Sequence, residues 1–333
     1  MAEPFLDTKT LIVDRHEYIM AAWAIGKRKQ IALVKGLREL GGTYKDIADR
    51  VENCAECLDL AAFKDGHSGE IFYRVNVSEA CKYRFCPPCA KRNARRLIAI
   101  HRPNIDKAFA PGTGYTAGFL TLTIPSVPYA KIRTATADVL KAWRRMTQRK
   151  RFRKAVAGFA RAEEVALHPT KPQALPHLHI LLAFRPGYHR ASNGLRIDHA
   201  EWREMWRGSM KNDAIRMVRI EALRPRNPDQ PLSSACAELL KYPFKPTVFE
   251  QDGSGYRIAP EKIEALHKGL YRRRMFGTGG ILRGLRLEEP ETELEYVDDD
   301  GVIHTADILD MAAPIAVENY AWDGDDYEPL EAA

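Results

Sequence analysis

Residues 176–182 read Pro176-His177-Leu178-His179-Ile180-Leu181-Leu182. Side chains alternate along a β-strand, so His177 and His179 share one face while Leu178 and Ile180 point to the other. A strand of this composition belongs inside a sheet, with an apolar core beneath it and two imidazoles above. That pairing suits two ligands to one divalent ion, with room left for a phosphate oxygen. The preceding strand candidate, Phe159–Leu167, is joined to it by a proline-bearing turn and carries Glu163 and Glu164. Either carboxylate could reach the same ion. Imidazole with carboxylate admits Mg, Mn or Zn, so the ligand types do not name the metal.

Outward from this hairpin, Gly118–Pro125 (GFLTLTIP) reads as a buried strand ended by its proline. Arg216–Leu223 reads as a further strand. Helical spacing of apolar residues marks 21–40, 44–60, 91–100, 133–154 and 201–211. Residues 61–89 are cysteine-bearing and irregular. Strands interleaved with helices through short connections predict an α+β fold, a largely antiparallel sheet flanked by helices, with an N-terminal helical and zinc-binding region. The expected division is 1–100 for the helical and cysteine-cluster region, 101–286 for the sheet domain, and 287–333 for an acidic C-terminal tail.

A chain of 333 residues holds one large core or two modest ones, and 45% hydrophobic content with 13 tyrosines fits a folded protein. No apolar run approaches a membrane span, and residues 1–10 lack a signal-peptide pattern, so a cytoplasmic protein without membrane partners is expected. Of the 44 acids, 16 lie from Leu287 onward, where there is no Lys or Arg. The remaining 28 face all 51 bases, a surplus of 23 that attracts polyanions. Nucleic acid is therefore the expected partner, with the acidic tail solvated and competing for the basic face.

Reducing surroundings make metal ligands or buried thiols a better reading of the six cysteines than disulfides. Cys54-Ala-Glu-Cys57 and Cys86-Pro-Pro-Cys89 are two C-x-x-C pairs, each able to place two thiolates on one tetrahedral zinc. Cys54, Cys57, Cys86 and Cys89 are the favoured Zn2+ set, Cys81 is the alternative, and Cys236 reads as a core thiol. Such a site would order a loop and hold the basic helix of Lys91, Arg92, Arg95 and Arg96 against DNA.

Residues 233–245, SSACAELLKYPFK, read as a capped helix stopped by Pro243. Glu238 and Tyr242 are i and i+4, so their side chains meet on one face, with Lys241 and Lys245 close in sequence. A tyrosine hydroxyl, with a pKa of about 10, needs cations, a metal or a nearby base before it attacks phosphorus. Beside a metal-binding histidine pair, this segment reads as a nucleophile with its assisting acid. Tyr188, Tyr256 and Tyr271 are the fallback nucleophiles, and Arg272, Arg273 and Arg274 beside Tyr271 read as phosphate contacts.

Six segments in this order resemble the replication initiators of small rolling-circle plasmids, a branch of the His-hydrophobic-His single-tyrosine endonucleases. They are CKYRFCPPC (81–89), FLTLTIP (119–125), AEEV (162–165), PHLHILL (176–182), ELLKYPFK (238–245) and GTGGILRG (277–284). The resemblance spans about Cys54 to Gly284. It implies a sheet carrying His177 and His179 as ligands to Mg2+ or Mn2+, with Glu164 as the third and Tyr242 as nucleophile on a neighbouring helix. Glu238 takes the place of an acid thought to assist the closing step. Many relatives read HPHxH, whereas Leu175 stands before Pro176 here, which leaves one nearby contact in doubt. The implied activity is site-specific nicking of plasmid origin DNA, single-stranded or extruded as a hairpin, through a 5′-phosphotyrosine, followed by rejoining. A host polymerase and helicase would use the nick. Competing readings are a relaxase, which usually carries its tyrosine ahead of the histidine motif, a single-strand transposase, and a zinc-containing DNA-binding repressor that does not cleave.

Overall fold

The computed structural model describes residues 8–64, 71–77, 79–223, 239, 248–253, 255–283, 293–297, 303–307 and 314–330. It divides into two compact units. Met1–Ala99, Phe249–Pro260 and Glu289–Ala333 form the first, and Ile100–Val248 with Glu261–Glu288 the second. Elements are numbered along the chain.

In the first unit, helix α1 (Thr8–Leu40) buries Ile19, Trp23, Leu33 and Leu37. Helix α2 (Tyr44–Glu52) packs against it through Ala48 and Val51. The helical pattern expected as far as Leu60 stops at Glu52, because Ala55 turns the chain at φ +58 and strand β1 (Cys57–Lys64) begins. A short apolar run such as Leu58–Phe63 fits either period, and pairing with β2 (Ile71–Val77) decides for the strand. The end of α2 is closed by α1. Lys27 Nζ donates to the Cys54 carbonyl at 2.9 Å and to the Glu52 carbonyl at 3.4 Å. Gln30 Nε2 donates to the carbonyls of Glu52, at 2.9 Å, and Val51. A buried ammonium at a helix C-terminus meets both the orphan carbonyls and the negative end of the dipole, and Glu56 Oε1 at 2.6 Å balances its charge. Helix α3 (Pro87–Ala108) extends the predicted basic helix in both directions.

The acidic C-terminal segment differs from the solvated tail that its charge predicts. Strands β11 (Glu293–Val297), β12 (Ile303–Asp307), β13 (Ala316–Trp322) and β14 (Tyr327–Pro329) join the N-terminal strands in one sheet of order β12-β11-β2-β1-β13-β14. Leu58 on β1 registers with Tyr320 on β13, and Tyr327 donates its hydroxyl to the buried Ala55 carbonyl at 2.6 Å. A strand needs only one apolar face, so Tyr320 and Tyr327 are buried while their neighbours Asn319 and Glu328 remain in water. A small hairpin, β8 (Glu250–Asp252) and β9 (Gly255–Arg257), completes the unit, with β9 against α1 and Lys29 Nζ 4.8 Å above the Tyr256 ring.

The second unit contains β3 (Thr116–Thr123), β4 (Val127–Pro128), α4 (Ile132–Gln148), α5 (Lys150–Ala155), β5 (Val156–Leu167) and β6 (Gln173–Phe184). It continues with α6 (His199–Met210), β7 (Val218–Leu223), α7 (Pro260–Leu270) and β10 (Phe276–Gly280). The sheet runs β10-β5-β6-β3-β7, antiparallel throughout, with β4 also pairing β6. This is the α+β class with antiparallel sheets and flanking helices that the pattern predicts. One face packs Leu120, Leu122, Leu178, Ile180 and Leu182 against Val139, Trp143 and Met146 of α4 and Trp202 and Trp206 of α6. The single helix expected over 133–154 breaks at Arg149, which is extended (ψ 135) and whose guanidinium reaches Ser209 Oγ at 3.3 Å. Strand β10 has a glycine-rich sequence without strand periodicity. Its glycines are steric: a Cβ on Gly279 would lie 2.5 Å from the Phe159 ring, and Gly280 adopts φ +61.

Replacing Tyr327 by Phe takes the hydroxyl away from the buried Ala55 carbonyl and should lower stability by about 1–2 kcal/mol. Equilibrium denaturation of the full chain measures this, and an unchanged midpoint would mean that the C-terminal segment is the solvated tail first expected.

Candidate metal centres

Strand pairing decides which carboxylate joins the histidines. On β5 and β6, Glu164 lies directly opposite His177 and Ala162 opposite His179. Glu163 instead lies opposite Leu178, on the core side, where its charge acts on Arg161. The register leaves Glu164, His177 and His179 on one face, all buried, with their ligand atoms mutually within 4.8 Å. Glu164 Oε2 stands 2.9 Å from His177 Nε2 and 3.0 Å from His179 Nε2. Two ligand atoms at right angles on an ion bound at about 2.1 Å are separated by about 3.0 Å, so the donor set fits one octahedral ion.

The surrounding groups orient these donors. His177 Nδ1 lies 2.9 Å from the Leu175 carbonyl oxygen, an arrangement that turns Nε2 toward Glu164. The contact is to backbone, so it does not depend on which side chain stands at 175. His179 Nδ1 lies 3.5 Å from Thr121 Oγ1, with the Phe119 ring 5.8 Å away. Burial pushes the Glu164 carboxyl up, but hydrogen bonds and charge from His177 and then His179 outweigh it and hold the group at about 2. Glu164 is therefore a carboxylate throughout the neutral range. Thr121 and Thr123, opposite His179 and His177, lie on the same face and were not singled out from sequence, although the alternation of TLT carries that information.

In the first unit the sulfurs of Cys54, Cys81, Cys86 and Cys89 come together. Cys54 lies 3.6 Å from Cys89 and from Cys86, and Cys81 lies 3.5 Å from Cys89. Zinc–sulfur bonds of about 2.3 Å at tetrahedral angles separate sulfurs by about 3.8 Å, so four thiols fit one zinc. The expected set is corrected at one position, with Cys81 in place of Cys57. Cys57 opens β1 and its backbone is held opposite Ala321, which commits its direction. Cys81 precedes Lys82 at φ +58, and the peptide N–H groups of Cys81 and Tyr83 point at Cys54 Sγ and Cys81 Sγ, each at 3.5 Å. Hydrogen bonds among the thiols lower Cys54 and Cys89 and raise Cys81 and Cys86.

The basic residues separate into exposed and packed ones. Arg92 and Arg96 are exposed on α3, whereas Arg95 is buried with its guanidinium 5.0 Å from the Trp23 ring centroid, beside Lys91 at 4.6 Å. Arg95 is thus corrected from a phosphate contact to a packing residue, since one helical face carries both cations onto α1. Arg272 and Arg274 are exposed, while Arg273 is half-buried and donates to the Arg133 carbonyl at 2.5 Å. Tyr188 is a core residue, stacked on Phe184 at 3.8 Å with its hydroxyl donating to the Ile197 carbonyl. Glu238, Lys241, Tyr242 and Lys245, like Cys236, lie outside the described residues.

A family model described as replication protein matches residues 72–328. A Rep protein of Streptococcus pneumoniae serotype 2 (strain D39 / NCTC 7466) is 26% identical over 286 residues, covering 86% of this chain and 84% of that protein. One from Bacillus amyloliquefaciens is 28% identical over 261 residues, covering 74% of each. A replication protein of Staphylococcus aureus is 29% identical over 191 residues, covering 57% of this chain and 79% of the relative. No solved structure matches the chain. Among the described residues, no helix is long and apolar enough to cross a membrane.

Cys81→Ser is expected to lose bound zinc, whereas Cys57→Ser keeps one ion per chain, read by elemental analysis of the purified proteins. Glu164→Ala should weaken Mn2+ binding at least about ten-fold in calorimetry, and the parent affinity should fall as pH falls because protons compete for the imidazole nitrogens. Equal Mn2+ affinity in both proteins would remove Glu164 from the centre.

Proposed function

The chain belongs to the Rep_1 family of replication proteins, and from this we propose that it initiates rolling-circle replication of a plasmid by nicking origin DNA and rejoining it. The observation that carries the chemistry is the convergence of His177 Nε2 and His179 Nε2 on Glu164 Oε2, at 2.9 and 3.0 Å, on one sheet face. The large basic surplus outside the C-terminal segment supports a DNA substrate. The exposed Arg92, Arg96, Arg272 and Arg274 are the phosphate contacts of this reading.

In the proposed reaction, Tyr242 Oη forms a bond to the scissile phosphorus, and the bond from phosphorus to O3′ breaks. The 3′ oxygen takes up a proton and leaves as a hydroxyl for a host polymerase, while the 5′ phosphate stays on the tyrosine. Lys241 and Lys245 favour the phenolate and offset charge on the phosphate. Glu238, four residues before Tyr242, accepts the tyrosine proton, and in termination it takes a proton from the water that releases the strand. Mg2+ or Mn2+, held by Glu164, His177 and His179, would supply Lewis-acid polarisation of the phosphate. Zn2+ on Cys54, Cys81, Cys86 and Cys89 would supply folding energy to the loop before α3. Rejoining reverses the attack and needs no ATP, because the phosphodiester energy is retained in the phosphotyrosine. The strand entering the site is single or extruded from a hairpin, and host helicase extends the opening.

The test is incubation with a supercoiled plasmid carrying the cognate origin and Mn2+, followed by denaturing electrophoresis. A DNA–protein adduct should form, disappear with EDTA and be absent from Tyr242→Phe. Adduct formation by Tyr242→Phe would overturn the assignment of the nucleophile. Glu238→Gln should form the adduct more slowly and, once it has formed, release it about a hundred-fold more slowly, measured as the decay of the isolated adduct.

A further inference from the structure

Tyr271 ends α7 with 49% of its surface exposed, an unusual placing for an aromatic ring that is otherwise so well constrained. Its carbonyl accepts from Arg133 Nη1 at 3.3 Å, and Arg273 in turn donates to the Arg133 carbonyl and, through its own N–H, to the Leu270 carbonyl at 3.1 Å. One helical turn earlier, the His267 ring lies 5.5 Å from the Tyr271 ring. Arg272, turned back at φ +54, places its guanidinium 5.2 Å from the same ring centroid. Burial, and then the Lys268 charge, lowers the His267 imidazole, which keeps it neutral and extends the π surface. Exposed Arg133 and Arg272 both reach Tyr271, and exposed Lys268, next to His267, is paired with Glu264 Oε1 at 2.6 Å.

A solitary exposed tyrosine would need no explanation. Here an exposed ring, a second ring and the guanidinium of Arg272 coincide, which is the composition of a surface on which an unpaired base stacks while a phosphate is neutralised. The position also connects it to the metal-ligand strand. From Tyr271 the chain passes to Met275, whose carbonyl accepts the Glu163 N–H at 2.7 Å, and then to Phe276, opposite Ala162 on β5. Four residues span at most about 14 Å, so the ring stands within a few nucleotides of a phosphate held at Glu164.

We propose that Tyr271, His267 and Arg272 form a stacking subsite for an unpaired base of the DNA strand flanking the scissile phosphate. This rests on the origin-nicking reading, since that reaction brings single-stranded DNA to the Glu164 face. The subsite explains why an aromatic side chain remains in water between charged neighbours: it is covered when the strand is bound.

The test uses the full chain without added divalent ion and a single-stranded oligonucleotide with 2-aminopurine placed at successive positions. The expected result is fluorescence quenching at a restricted set of positions, lost in Tyr271→Ala together with about ten-fold or more in affinity, and kept in Tyr271→Phe. Thermal unfolding of Tyr271→Ala checks that the half-exposed ring is not needed for folding. Single-strand binding with unchanged quenching and affinity in Tyr271→Ala would overturn the subsite and leave the nicking reading standing. Failure of the parent protein to bind any single strand at low salt would overturn both. Loss of the covalent adduct in Tyr271→Phe, with adduct still formed by Tyr242→Phe, would make Tyr271 the nucleophile and also end the stacking role.

Discussion

The antiparallel register of β5 on β6 is the constraint on which the second unit depends. It sets Glu164 opposite His177, and the same pairing sends Leu178, Ile180 and Leu182 into the core beneath α4 and α6. A slip of one residue in β5 would bring Glu163 to the histidine face and withdraw Glu164 from it, because side chains alternate with a period of two. The tryptophans on the core side therefore help to hold the metal-binding face: Trp143, Trp202 and Trp206 make a slipped core costly. The candidate metal cluster and the hydrophobic packing are two faces of one strand pairing.

The first unit is organised around polar atoms that have been taken out of water. Lys27 and Gln30 reach from α1 to the carbonyls that end α2, and the chain then turns directly into Cys54. Four sulfurs lie close together, and an ion on them would tie the loops at Cys54 and Cys81 to the start of α3. The C-terminal strands flank the N-terminal pair on both sides, β11 beside β2 and β13 beside β1, and β14 brings Tyr327 to the carbonyl of Ala55, one residue past Cys54. A segment that by charge repels the polyanion favoured by the rest of the chain is thus joined by backbone hydrogen bonds to the unit that bears the thiol cluster.

Much of the metal centre was legible because alternation is a local property. His-Leu-His needs no partner strand to show that both imidazoles face one way, and the two adjacent glutamates narrow the third ligand to a pair. The strands at Gly118 and Arg216 were visible for the same reason. Other features depended on partners far along the chain. Five cysteines close in sequence could offer several sets of four, and the fold brings Cys81 to Cys54, Cys86 and Cys89 while Cys57 enters strand β1 opposite Ala321. Arg95 resembled its neighbours Arg92 and Arg96 until Trp23, from another helix, covered it.

What the sequence by itself determined was therefore the chemistry and the class: which residue types could bind metal, an α+β chain with a basic body, and membership in a family through six ordered segments. Tertiary structure decided the selections among equals, with Glu164 rather than Glu163, Cys81 rather than Cys57, and strands rather than a free tail after Leu287. The reason is physical. Periodicity and composition report forces that act within a few residues, whereas register, burial and ligand choice are settled by contacts between segments that are distant along the chain.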